Sequence, residues 1–248
     1  MSPLFGTDGV RGVANRDLTP ELAFRIGRAA AVVLYEDPGA DGPVVVGRDT
    51  RVSGTMLEAA IVAGLASAGR NAVLLGIVPT PAVACITRDT GAAAGVMISA
   101  SHNPVPDNGI KFFGAQGYKL PDALERRIEQ LLDAPDLPRP TGTAVGVVRS
   151  SYNLGRHYYR ELYEGTPPMR GLTVVVDAGF GAAYAVVPYV LRKLGANVVE
   201  INCEDDGARI NVECGATDLR PLQAAVREQA AAGKDRAVGV AFDGDADR

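Results

Sequence analysis

The chain has 248 residues, enough for one large or two ordinary domains, and 47% of them are hydrophobic, enough to fill real cores. A formal net charge of −4 leaves no basic footprint for nucleic acid, and no apolar stretch approaches the ~20 residues of a membrane span or resembles a signal peptide. Cys85, Cys203 and Cys214 are odd in number and lack metal-ligand spacing, which points to buried free thiols in a reducing cytoplasm.

Apolar β-type runs alternate with helical patterns along the chain. Thr19-Pro20-Glu21 is a helix start leading into Leu22 to Tyr35. Val44 to Gly47 reads as a strand. From Ser53 to Gly69 the spacing of Leu57, Ile61 and Leu65 predicts a helix, with Thr55 and Glu58 as a capping box and Gly69 as its stop. A strand over Ala72 to Val78, a short helix opened by Pro79-Thr80-Pro81 and a strand over Gly95 to Ala100 follow. Leu124, Ile128, Leu131 and Leu132 then mark a closing helix.

Residues Ala134 to Gly146 hold three prolines and two glycines and read as a connector. A tyrosine-rich helix near Ser151 to Tyr163 precedes a second alternation. Its elements are strand Leu172 to Val176, helix Ala182 to Leu194, strand Asn197 to Ile201, helix Pro221 to Ala232 and strand Ala237 to Phe242. Two consecutive α/β domains with mixed, mostly parallel sheets are expected, residues 1–145 and 146–248.

The last strand, read as buried and parallel, runs into Asp243-Gly244-Asp245-Ala246-Asp247-Arg248. Three carboxylates at alternate positions repel, by about 4 kcal/mol per pair at ~4 Å and an effective dielectric near 20, unless a hard cation such as Mg²⁺ joins them. A solvated acidic turn is the plainer reading. An EF-hand loop fits poorly, because glycine stands second rather than sixth and a strand precedes.

Another strand end carries Ile98-Ser99-Ala100-Ser101-His102-Asn103-Pro104, with Asp107-Asn108-Gly109 and Lys111 beyond it in what reads as one loop. A serine needs a base or a metal to become a nucleophile, and His102 or Lys111 could serve; local side-chain-to-backbone bonding in a turn is the other reading. No G-x-S-x-G elbow supports a hydrolase. Phe5-Gly6-Thr7-Asp8-Gly9-Val10-Arg11-Gly12 could bring backbone N–H groups and the Arg11 guanidinium to an anion, or simply form a turn. Within Gly47-Arg48-Asp49-Thr50-Arg51 a structural Arg–Asp pairing is expected. The glycines of Ala178-Gly179-Phe180-Gly181-Ala182 read as tight packing, not as a dinucleotide fingerprint.

Together these loops occur in the order found in the α-D-phosphohexomutases, which the whole chain resembles. The Ser-Ala-Ser-His-Asn-Pro form, Asn202-Cys203-Glu204 and Glu213-Cys214-Gly215 are similar to the bacterial glucosamine-phosphate branch of that family. The resemblance implies a four-domain enzyme of which this chain is domains one and two, with little activity expected of the two alone. It implies that Ser101 carries the transferable phosphate and that Asp243, Asp245 and Asp247 hold Mg²⁺ together with a Ser101 phosphoryl oxygen. Lys111 is implied in proton transfer, Arg11 and Arg248 around the reacting phosphate, and His102 in support. The implied reaction interconverts glucosamine 6-phosphate and glucosamine 1-phosphate through a hexosamine 1,6-bisphosphate, which is also the activator. The partners expected are a phosphorylated hexosamine, a second copy in a homodimer, and a kinase or self-phosphorylation to charge Ser101. Mannose or glucose phosphates are alternative substrates; a haloacid-dehalogenase-type aspartyl phosphatase and a non-catalytic metal- and sugar-phosphate-binding module are alternative functions.

Overall fold

In the computed structural model, which describes residues 4–36, 41–234 and 236–248, Thr19 opens the first helix as its sequence predicts. The Thr19 hydroxyl oxygen accepts from the Leu22 N–H at 3.2 Å, Pro20 sits in the first turn, and α1 runs Pro20–Val33. Next come β2 (Val44–Arg48), α2 (Gly54–Ser67), β3 (Ala72–Ile77), α3 (Thr80–Asp89), β4 (Ala94–Ile98) and α4 (Asp122–Leu131). The expected capping box on α2 does not form. Ser53 is the cap residue, with a helical φ of −73° and no side-chain cap bond, and Glu58 faces Arg48 at 3.5 Å instead. Gly69 does stop the helix, at φ +88°.

Three strands depart from the expected elements: β1 (Val10–Val13), β5 (Asp107–Gly114) and β6 (Val148–Ser150). The first sheet has the order β1-β5-β4-β2-β3-β6, with β5 antiparallel to both its neighbours and β4, β2, β3 and β6 parallel. Asn108-Gly109 is expected in a loop, but that loop ends before Asp107, where β5 begins. Ile110 and Phe112 enter the core beneath α1 and α2, while Phe113 enters the core beneath α3. Val44 and Val46 likewise face one core and Val45 the other, the period-2 alternation of a strand covered on both sides. Leu57, Ile61 and Leu65 of α2 are fully buried, each contributing roughly 1.5–3 kcal/mol. Because β6 pairs with β3, the chain leaves the first sheet only after Ser150.

Helix α5 (Tyr152–Tyr163) leads into β7 (Thr173–Asp177), α6 (Ala183–Lys193), β8 (Asn197–Ile201), α7 (Arg220–Ala231) and β9 (Ala237–Ala241). These strands form a parallel sheet ordered β8-β7-β9. Only the central β7 is buried throughout. The expectation of a buried β9 is corrected: it is an edge strand, and Val238 is 42% exposed. Of the three cysteines only Cys214 is fully buried; Cys85 and Cys203 are half-buried. Among the described residues no helix is long and apolar enough to cross a membrane.

Candidate active site

The two sheets meet at the carboxyl ends of their strands, where open α/β sheets keep their sites. From the first sheet come Asp49 to Arg51 after β2 and Ser99 to Asn103 after β4; from the second come Asp177, the last residue of β7, and the acidic loop after β9. Ser101, Asp243 and Asp245 are all buried. The Ser101 hydroxyl donates to Asp243 Oδ2 at 2.6 Å, joining residues 142 positions apart. Ser101 holds this place in a left-handed conformation, φ +52°, which non-glycine residues seldom adopt.

Asp243, Asp245 and Asp247 converge so that one carboxylate oxygen from each lies within 4.8 Å of the others. Burial and the neighbouring Asp243 push the Asp245 carboxyl up; burial, then Asp245, do the same to Asp247, with Lys111 and Arg248 opposing. Asp245 Oδ2 accepts from the Thr80 hydroxyl at 2.5 Å, and the Asp245 carbonyl accepts from the Thr80 N–H at 2.9 Å. Thr80 is the first residue of α3, so the acidic loop caps that helix and sits at its positive end. Asp245 Oδ1 is buried and has no hydrogen-bond partner among the described residues. An unpaired buried oxygen beside two more carboxylates is costly alone and fits a hard divalent cation.

The remaining expected residues surround this centre. Lys111 lies on β5, not in a loop, and its Nζ is 3.8 Å from Asp247. Arg11 lies on β1 opposite Gly109, so strand alternation puts it on the Lys111 face of the sheet. It donates to Asn103 Oδ1 at 3.3 Å and pairs with Asp8 at 3.5 Å, while its Nε is buried without an acceptor among the described residues. The Arg248 backbone N–H donates to Asp243 Oδ1 at 3.3 Å, and its side chain is exposed. His102 is exposed, and its ring has no hydrogen-bond partner among the described residues. Next to Ser101 in sequence, it is the one candidate outside this bonded network.

Several contributors escaped the sequence reading. Arg51 and Asp49 do form the expected ion pair, at 3.1 Å and with both side chains inaccessible, but Arg51 also binds loop carbonyls. Thr80 and Asn211 lie in segments with no chemical signature. Gly207 lets the loop before Asn211 meet the first domain, since a Cβ there would lie 1.9 Å from the Thr50 carbonyl oxygen. The Thr50 hydroxyl donates to the Phe180 carbonyl at 2.5 Å, a further tie between the two halves. Gly181 packs on Gly244, so the glycines after β7 serve loop-to-loop contact, close to the packing role expected of them.

The family description for phosphoglucomutase/phosphomannomutase alpha/beta/alpha domain I matches residues 2–139, and that for domain II matches residues 157–248. The chain belongs to the phosphoglucomutase/phosphomannomutase family. This family member is 54% identical over 251 residues to the phosphoglucosamine mutase of Moorella thermoacetica, with 100% of the chain and 55% of that protein covered. It is 55% identical over 250 residues to the phosphoglucosamine mutase of Saccharopolyspora erythraea, with the same coverage. A crystal structure of a phosphoglucomutase/phosphomannomutase family protein from Burkholderia thailandensis superposes with a TM-score of 0.83 at 27% identity, covering 98% of this chain and 52% of that one. The chain thus spans about half the length of the curated relatives it matches.

Proposed function

We propose that this chain carries the phosphate-bearing serine and the metal loop of a phosphoglucosamine mutase, which interconverts glucosamine 6-phosphate and glucosamine 1-phosphate. The observation that carries the reading is the 2.6 Å contact between Ser101 Oγ and Asp243 across two domains, in a chain 54–55% identical along its length to named phosphoglucosamine mutases. The free thiols agree with a cytoplasmic location.

A Mg²⁺ held by Asp243, Asp245, Asp247 and an oxygen on Ser101 would supply positive charge against the phosphoryl oxygens. Ser101 itself carries the phosphoryl group. The P–O bond to Ser101 breaks as one forms to the sugar 1-hydroxyl, giving the 1,6-bisphosphate. In the return half, the bond between phosphorus and the sugar 6-oxygen breaks and Ser101 is phosphorylated again. Lys111, partly sheltered beside Asp247, is the proton-transfer group, and in its neutral amine form it takes the proton lost by the attacking hydroxyl. Arg11, whose buried Nε has no acceptor among the described residues, offers its guanidinium to the phosphoryl oxygens. Arg248 adds positive charge at the rim. The buried Ser101 oxygen is shielded from water, which would otherwise compete for the phosphoryl group.

The test is phosphosite mapping after the complete natural polypeptide is incubated with glucosamine 1,6-bisphosphate and Mg²⁺. Phosphate on Ser101 that disappears in Ser101→Ala supports the reading; an acyl phosphate on Asp243 with Ser101 unmodified overturns it.

A further inference from the structure

Four backbone carbonyls, three from the loop after β4 and one from Asp107 at the start of β5, converge on one guanidinium. Arg51 Nη1 donates to Pro104 O at 2.7 Å and Asp107 O at 3.0 Å, and Nη2 donates to Ser101 O at 3.0 Å and Asn103 O at 2.8 Å. Its Nε donates to Asp49 Oδ2 at 3.1 Å, so all five N–H groups of the side chain are in use. The same Asp49 oxygen accepts from the Ser99 hydroxyl at 2.5 Å, and Ser99 Oγ accepts from the Ser101 N–H at 2.9 Å. From the second domain, Asn211 Nδ2 donates to Ser101 O at 2.9 Å and Asn103 O at 3.3 Å, two of the carbonyls Arg51 already holds. Asn211 is itself set in a left-handed conformation, φ +60°, with its N–H bonded to Gly179 O at 3.0 Å.

The peptide groups on both sides of Ser101 are therefore fixed, the N–H by Ser99 and the C=O by Arg51 and Asn211. The unfavourable φ of Ser101 needs such surroundings, since an αL non-glycine residue persists only where its neighbours over-determine it. Because C=O and N–H point opposite ways in a planar peptide, the grip on Ser101 O turns the His102 N–H away from Arg51. Among the described residues that N–H meets no acceptor. A buried ion pair on its own adds little net stability. This one commits its guanidinium to a single loop and the first residue of the strand that follows it.

We propose that Arg51 and Asn211 are positioning residues for phosphoryl transfer at Ser101. Arg51 fixes the backbone on which the serine oxygen rides, and Asn211 completes that grip only when the second domain is docked. The inference rests on the mutase reading above and goes beyond it by assigning the loop conformation to two side chains outside the carboxylate cluster and the serine hydroxyl.

The experiment compares wild type with Asn211→Ala, Asn211→Asp and Arg51→Lys in the complete natural polypeptide. It measures kcat, KM, Ser101 phosphate by mass spectrometry, and the ³¹P resonance of the phosphoserine. For Asn211→Ala the expectation is a fall in kcat on the order of 10- to 100-fold, the scale of a misplacement near 1 Å, with KM within about twofold. Its ³¹P line should shift or broaden while melting stays cooperative. Asn211→Asp, which turns a carboxylate onto two carbonyls, should lose more. Arg51→Lys keeps the charge but has three donors for five bonds, and should not restore wild-type kcat; should it fail to fold, the Asn211 variants decide. A folded Asn211→Ala protein with wild-type kcat and an unmoved ³¹P line overturns the positioning role and leaves the mutase reading standing. Absence of phosphate on Ser101 in the wild type overturns the mutase reading and this inference with it.

Discussion

Substituting Gly181 by alanine tests the coupling between loop packing and metal binding. An added Cβ would lie 2.5 Å from the Gly244 carbonyl oxygen, 2.7 Å from its Cα and 2.9 Å from its carbonyl carbon. Ordinary contact begins at 3.4 Å, so the tightest approach is short by 0.9 Å, and all three atoms are backbone that cannot rotate aside. Gly244 stands between Asp243 and Asp245, and a Cβ built on it already lies 2.6 Å from Ser101 O, so the loop is hemmed in on that side. Relief must displace the carboxylates. Against a Mg²⁺–oxygen bond of about 2.0–2.1 Å, a shift of this size spoils near-octahedral geometry. Changes to the groups that orient metal ligands cost about 10- to 100-fold in metal affinity, equivalent to about 1.4–2.7 kcal/mol. Calorimetric titration of the complete polypeptide with Mg²⁺ measures this directly. Gly114→Ala is the control, because Gly114 has nothing within 4 Å of a built Cβ and should leave affinity unchanged. Gly181→Ala binding Mg²⁺ within about twofold of wild type would falsify the argument, because the carboxylates would then keep their geometry despite the intruding methyl group.

Mg²⁺ itself should raise the folding stability of the wild type by about 2.7 kcal/mol at a hundredfold excess over Kd, and Asp245→Asn should lose most of that gain in chemical denaturation. Thr80→Val removes the 2.5 Å bond to buried Asp245 and should cost about 1.5–3 kcal/mol, read as a lower urea midpoint; an unchanged midpoint would show the bond to be dispensable. Burial raises the Asp49 carboxyl from 3.8 to about 6, against the pull of Arg51 and Ser99. The folded state then binds the proton more tightly than the unfolded chain, so this group's contribution is full below pH 3.8, falls as pH rises to about 6, and is flat above. Asp49→Asn should flatten that part of the stability–pH curve, whatever it costs in absolute stability, and an identical slope in both proteins would refute the assignment.

Much of the site was legible in residue order alone. The acidic triplet and the serine loop each carry chemistry in their composition, and the strand before each marks it as a carboxyl-end loop. The helices came through for a similar reason: apolar spacing such as Leu57, Ile61, Leu65 is a local property of the chain. Strand β5 did not, because Asp107-Asn108-Gly109 carries turn chemistry and only antiparallel pairing with β1 and β4 makes it a strand. The same pairing moved Lys111 from a loop to a sheet face. Burial of β9 was misjudged because an apolar run reads alike at the centre and at the edge of a sheet.

By itself the sequence determined which side chains could do chemistry here: one serine, three aspartates and a few cations, set at the ends of apolar runs. Tertiary structure alone decided that Ser101 and Asp243, 142 residues apart, share a 2.6 Å hydrogen bond, and that Thr80, Arg51 and Asn211 hold the loops carrying them. The physical reason is that hydrogen-bond partners of buried carbonyls and carboxylates are set by where distant loops meet, and no local pattern of residue types encodes that meeting.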